Sequence, residues 1–202
     1  MSEEAVPWRA GGRGRSADAV ERPGGPHKGG DAVAEAGRIT VPVRVRDLSE
    51  ADLAYCGWSG APPHLEAVRA ALERARSGDV EYLAVCPPSD LPVAIGGVDY
   101  APDPDAGTLW QLAVHPALRS LGLGTRLVGA AEQRIRARNR GWARLSVEQD
   151  NHRARALYAR LGYTPCGTRP ESWDVQDADG SVRRYETVCT LMRKALDGAP
   201  AG

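Results

Sequence analysis

The sequence predicts an α/β fold of the α+β kind, a mixed but mostly antiparallel sheet of about seven strands flanked by helices, and two observations predict it. Apolar runs over 80–86, 93–100 and 108–114 are separated only by Pro87-Pro88-Ser89-Asp90 and Pro102-Asp103-Pro104-Asp105-Ala106-Gly107, turns short enough for antiparallel hairpins. Beyond residue 114 the pattern changes, and strand-like runs alternate with amphipathic helical ones, which implies crossover connections within the same sheet.

In chain order, residues 39–46 alternate as a first strand, and Ser49-Glu50-Ala51-Asp52 opens a short helix with a hydroxyl at its cap. After a loop over 57–63, Leu65, Val68, Leu72 and Ala75 share one helical face, and Gly78 ends that helix. The three hairpin strands follow. A helix beginning at Gly122 turns Leu127, Val128, Ala131 and Ile135 inward. A strand over 143–148, a helix over 151–161 and two strands near 163–169 and 184–193 complete the domain, with no internal repeat.

Length and composition set bounds on function. The 202 residues suit one well-buried domain. Residues 1–37 are rich in Gly, Pro and mixed charge and too poor in apolar side chains to offset the entropy of ordering, so they read as a disordered tail before a domain over 38–202. Basic and acidic residues balance at 26 each, which leaves no global charge to recruit nucleic acid or an anionic membrane. Arg134, Arg136, Arg138, Arg140 and Arg144 form a basic stretch, but the i,i+4 pairs 134/138 and 136/140 fall on two faces, the pattern of a solvated helix rather than a nucleic-acid patch. Cys56, Cys86, Cys166 and Cys189 are widely spaced with no C-x-x-C pair, as expected of reduced thiols in a cytoplasmic protein. No apolar run approaches a membrane span and no secretory signal is evident. Lysine is confined to Lys28 and Lys194 and Phe is absent, a bias that fits a GC-rich bacterial genome.

The run Val114-His115-Pro116-Ala117-Leu118-Arg119-Ser120-Leu121-Gly122-Leu123-Gly124-Thr125-Arg126-Leu127 passes from strand through a glycine turn into a helix. Its R-x-x-G-x-G core lets the backbone curl and point several N–H groups at one anion, and the helix start adds unpaired donors. Neither a Walker A loop nor a full dinucleotide fingerprint is present. Further on stand Asn151, Ala154, Leu157, Tyr158, Gly162 and Tyr163, spaced N-x-x-A-x-x-L-Y-x-x-x-G-Y. Together, in this order and about thirty residues apart, the two blocks resemble the GCN5-related N-acetyltransferase (GNAT) superfamily, and the likeness extends from about residue 39 to 196.

That resemblance implies acetyl-coenzyme A as co-substrate, no metal, and two central strands, 109–114 and 143–148, splayed to admit the pantetheine arm. It assigns main-chain contacts to Leu112 and Val114, and the pyrophosphate cradle to Arg119, Leu121, Gly122, Gly124 and Thr125. Asn151 sits where an asparagine caps a helix, and the resemblance adds that its amide reaches the pantetheine. Tyr158 returns to the same helix face seven residues on; it is either an ordinary core tyrosine or the proton donor to the departing thiolate. Relatives that acetylate protein N-termini often carry Glu where Ser146 stands. Glu148, on the same side of its strand, is then the candidate base, an exposed strand-end carboxylate being the alternative. By analogy with the family's variable regions, the loop 56–64 and the segment 170–180 are expected to recognise the acceptor. Trp58 and Trp173 would offer aromatic faces to a cation, and Glu171 and Asp174 would pair with an amine, unless 170–180 is simply a solvated acidic hairpin.

The implied activity is acetyl transfer to a primary amine on a small molecule or peptide by direct attack on the thioester. Two rivals remain at this stage: a coenzyme A-binding sensor or scaffold without turnover, and an acetyltransferase of protein or aminoacyl-tRNA. A homodimer is left open.

Overall fold

The computed structural model describes residues 40–177 and 179–196. The expected tail at 1–37 and the start of the first strand at Ile39 lie outside the described residues. Among the described residues seven strands are found: β1 (Arg44–Asp47), β2 (Val80–Cys86), β3 (Ala94–Asp99), β4 (Ala106–Val114), β5 (Trp142–Glu148), β6 (Thr164–Gln176) and β7 (Val182–Ala195). They form one mixed sheet in the order β1-β2-β3-β4-β5-β7-β6, antiparallel except for β4 beside β5. Three α-helices accompany them, α1 (Pro62–Ser77), α2 (Leu123–Ala137) and α3 (His152–Arg160), and the predicted short helix is a 3-10 segment at Glu50–Tyr55. The predicted fold class is the observed one.

Two expected boundaries move. The first strand shrinks to Arg44–Asp47 because its pairing begins at Arg44↔Cys86, and Pro87, which follows, has no N–H to extend the ladder. The last two strands lengthen into a hairpin, with Glu171↔Thr187, Trp173↔Tyr185 and Asp174↔Arg184 paired across it. Segment 170–176 is therefore strand, not loop. Its polar composition obscures this, but an edge strand with a solvated face tolerates Pro170 and charged residues.

Period-2 alternation supplies two cores. Leu83, Val85, Val98, Leu109, Leu145 and Val147 pack against Leu127, Val128, Ala131 and Ile135 of α2 and against Tyr158. Tyr82, Ala84, Ile95 and Ala113, on the opposite face, pack with Val68 and Ala71 of α1, joined by Leu65, Leu72 and Ala75. The inward residues read from periodicity are thus buried in α2, whereas in α1 Val68 is buried and Leu65, Leu72 and Ala75 are partly buried.

The arginines are held in place by partners rather than merely solvated. Arg134 pairs with Asp47 at 2.7 Å, Arg138 pairs with Glu81 at 2.7 Å and lies over the Tyr100 ring at 4.0 Å. Arg140 donates to the carbonyls of Tyr100 and Ala106 at 2.7 and 2.8 Å, and Arg144 pairs with Asp103.

Near the β1 end, Arg46 makes a two-pronged contact with Asp52, both bonds 2.7 Å, and the guanidinium holds that carboxyl down to about 2. Because the folded value lies below the unfolded one, the stabilisation is complete above about pH 4 and is lost as pH falls toward 2. With allowance for solvent screening it amounts to about 1–2 kcal/mol. Asp52→Asn is expected to lower stability at pH 7 and to flatten its decline between pH 4 and 2, as measured by urea unfolding across that range.

Candidate active site

The site begins with a fault in the sheet. Between Ile95 and Gly97 the β3–β4 register shifts, with Gln111 at φ +51° forming the bulge. Gly96 permits it, since a Cβ there would lie 2.4 Å from Leu112 Cδ2. The buried Gln111 amide accepts a hydrogen bond from the Tyr82 hydroxyl at 3.1 Å. On its other side β4 pairs with β5 only over Ala106↔Trp142 to Leu109↔Leu145, so beyond Leu109 the two strands separate into a cleft. His115 N donates to Val93 O at 2.9 Å, which turns the N–H and C=O of Ala113 and His115 toward β3 and those of Leu112 and Val114 toward the cleft. The structure therefore places the main chain of Leu112 and Val114 along the edge of the cleft.

One half of the cleft, a cavity of about 320 Å³, is lined by the cradle. Ser120 at φ +69° and Gly122 at φ +83° curl the backbone into the helix, and Arg126 N is the first amide to bond within α2, to Gly122 O at 3.0 Å. The first-turn N–H groups of Leu123, Gly124 and Thr125 therefore lack helical partners, an arrangement suited to an anion. Gly124 is open to close approach, because a Cβ there would already touch Leu157 at 3.3 Å. Arg119 lines this half, and so does Arg153, which donates to Ser120 Oγ at 2.9 Å. Leu121 is 69% exposed and does not line this half. These features fit a diphosphate on an extended arm. The sequence alone gives Arg153 and Ser120 no role, because only the folded chain brings the first turn of α3 beside the glycine loop.

The other half is lined by Thr108, Trp110, Gln111, Ser146, Glu148, Arg169 and Glu171, among others. Leu112, Asn151, Ala154 and Tyr158 line both halves. Asn151 caps α3, its Oδ1 accepting from Ala154 N at 3.1 Å, which leaves its NH₂ group available to the cleft. Tyr158 is buried, its ring tilted against Tyr163 at 5.9 Å, and its hydroxyl makes no hydrogen bond among the described residues. Burial pushes the phenol up to about 12.

Glu148 is buried at 4% exposure, which overturns the alternative of an exposed strand end, and Tyr185 Oη donates to its Oε2 at 3.1 Å. Glu171 projects into the same half from β6. Its side chain is 6% exposed, and its Oε1 accepts from Ser146 Oγ and Arg169 Nη2, both at 2.7 Å.

Three expected acceptor contacts are corrected. Trp173 is 4% exposed and packed at a tilt against Tyr185 at 5.0 Å, so it offers no face to a cation and instead buttresses the tyrosine that bonds Glu148. Asp174, three residues from Glu171, lies on the opposite face of β6 and pairs with Arg184 at 3.4 Å in solvent. Trp58 is half-buried against His115 at 5.4 Å and lines neither half of the cleft. Among the described residues no group of three or more His, Cys, Asp or Glu is arranged to hold a metal ion.

With this geometry in hand, known proteins supply a frame. The model of the Acetyltransferase (GNAT) family matches residues 58–163. The mycothiol acetyltransferase of Beutenbergia cavernae is 42% identical over 64 residues, 32% of this chain and 22% of that protein. An uncharacterized protein of Mycobacterium leprae is 36% identical over 75 residues, 37% of this chain and 20% of its own length. The matches thus span only about a fifth of these curated relatives. Among solved structures, the ribosomal-protein-S18-alanine N-acetyltransferase from Escherichia coli superposes with a TM-score of 0.60 at 20% identity, over 80% of this chain and 97% of that one. The PaiA N-acetyltransferase from Thermoplasma acidophilum, in complex with coenzyme A, gives 0.56 at 17% identity, over 77% and 99%. At such identities these structures show the shared fold.

Proposed function

Because the chain belongs to the acetyltransferase (GNAT) family, we propose that it transfers an acetyl group from acetyl-coenzyme A to a primary amine by direct attack on the thioester. One observation carries the reading: the anion cradle and the carboxylate-lined half are one continuous cleft, with Tyr158 and Asn151 at the junction. Bound acetyl-coenzyme A supplies a thioester carbonyl as electrophile and a thiolate as leaving group.

The chain's own residues supply the rest. Leu123, Gly124 and Thr125 hold the diphosphate through their N–H groups, with Arg119 and Arg153 adding charge. Leu112 and Val114 pair with the pantetheine amides as an added strand would. Glu148 takes a proton from the incoming ammonium. Tyr158 stays a phenol throughout the working pH range and donates its proton where the thiolate develops. A solvated thiol titrates near 8.5, about 3 units below this phenol, so donation would be uphill in water. Inside the cleft the thiolate is deprived of water as well, which raises its basicity toward that of the donor.

Acetyl-coenzyme A is expected to raise the melting temperature, and thiol release above buffer is expected with at least one class among small amines, peptides and charged tRNA. Stabilisation without release from any of them would favour the sensor or scaffold reading. Glu148→Gln is expected to abolish the acidic limb of the pH–rate profile of kcat/KM; persistence of that limb would instead assign deprotonation to water.

A further inference from the structure

Glu171 is the group in the cleft that the reaction scheme above leaves without a task. It comes from β6, the outermost strand, and reaches across β7 to β5, where Ser146 Oγ donates to its Oε1 at 2.7 Å. Ser146 has a side chain too short and too weakly polar to hold a cation itself; with Glu171 attached to it, a carboxylate occupies that part of the cleft. The side chain is 6% exposed and its Oε2 is buried with no hydrogen-bond partner among the described residues. A buried carboxylate oxygen without a donor is costly, and such an atom in a cleft marks a place for a ligand donor. The neighbouring Cys189 thiol is pushed up to about 12 by burial and by the Glu171 charge, so it stays a neutral thiol and adds no second negative charge beside Glu171.

Among the described residues the single cation on Glu171 is Arg169, at 2.7 Å through Nη2 and 3.1 Å through Nε. Its own side chain is 58% exposed, so the pair joins a buried anion to a solvated cation. The charged lining of this half is then Glu148, Glu171 and Arg169, a formal charge of one negative, and an ammonium group that takes the place of Arg169 on Glu171 leaves that charge unchanged.

Building on the proposed acetyl transfer, we propose that Glu171 is the acceptor-binding carboxylate: the acceptor enters as an ammonium, bonds Glu171 and displaces Arg169, while Ser146 is the positioning residue that holds Glu171 in the cleft. The acceptors selected are primary amines protonated at neutral pH, without an anionic group beside the nitrogen, since that group would meet both carboxylates. Arg169 acts as a removable counter-ion, so removing it and removing Glu171 have opposite effects on amine binding. A merely structural ion pair has no such asymmetry.

The test is an NMR titration of n-butylamine, 1,4-diaminobutane and alaninamide, with 1-butanol as the uncharged control, into the protein saturated with coenzyme A. At least one amine is expected to bind well ahead of 1-butanol. Glu171→Gln should weaken it by about tenfold or more and Glu171→Asp by less, whereas Arg169→Gln should tighten it several-fold. Ser146→Ala should weaken binding and Ser146→Thr restore it, because only the hydroxyl is used. Amines binding no better than 1-butanol, unchanged binding in Glu171→Gln, or equal losses in Glu171→Gln and Arg169→Gln would overturn the proposal. The coenzyme A-induced rise in melting temperature, followed in every variant, separates the two readings. Its absence from the wild-type protein would defeat acetyl transfer, and its presence with failed amine binding would defeat only the role of Glu171.

Discussion

Tyr158→Phe is expected to lower kcat by about 10²–10⁴-fold with little change in the affinity for acetyl-coenzyme A, the range for losing a positioned proton donor. The ring is part of the core around α2 and α3 and packs on Tyr163, and phenylalanine preserves that packing. The hydroxyl has no hydrogen-bond partner among the described residues, so deleting it strands no donor or acceptor and the fold should hold. Single-turnover thiol release, together with melting curves, checks both halves of this expectation. Full activity in a folded Tyr158→Phe protein would remove the acid from the mechanism, and a large fall in stability would assign the hydroxyl to the core.

Gly124→Glu is expected to abolish the thermal shift produced by acetyl-coenzyme A. A ligand at 100 times its Kd stabilises by about 2.7 kcal/mol, which for a domain of this size raises Tm by about 5–10 °C. The substitution places a carboxylate among the free N–H groups of Leu123, Gly124 and Thr125, where the helix end otherwise attracts an anion. Gly124→Ala separates cradle from helix. Its methyl would contact Leu157 at 3.3 Å and Val114 at 3.7 Å, and alanine favours the helix by up to about 1 kcal/mol, so ligand-free stability should hold while the shift shrinks. Gly122→Glu should also lose the shift, with an added cost of about 1–2 kcal/mol because its φ of +83° disfavours a side chain. An undiminished shift in folded Gly124→Glu would place the diphosphate elsewhere.

What the sequence determined by itself was whatever depends on neighbours a few residues apart. Prolines and Asp-rich turns set the hairpins, period-3.6 faces chose Leu127, Val128, Ala131 and Ile135 as core, and the glycine run and the Asn151–Tyr158 spacing located the cradle and the junction of the cleft. The tertiary structure decided everything that depends on which strand lies beside which. Alternation through β4 would put Leu109 and Ala113 on one face, but the bulge at Gln111 inserts one residue and sends Leu112 and Val114 to the α2 side, with Ala113 on the α1 side. Polar composition concealed the extension of β6, and without that extension Trp173 and Asp174 looked like free acceptor contacts. Glu171 meets Ser146 across 25 residues of chain because β7 lies between their strands. The period of a strand names the face on which a side chain lies and is silent on register and partner, which are fixed only when the whole sheet assembles.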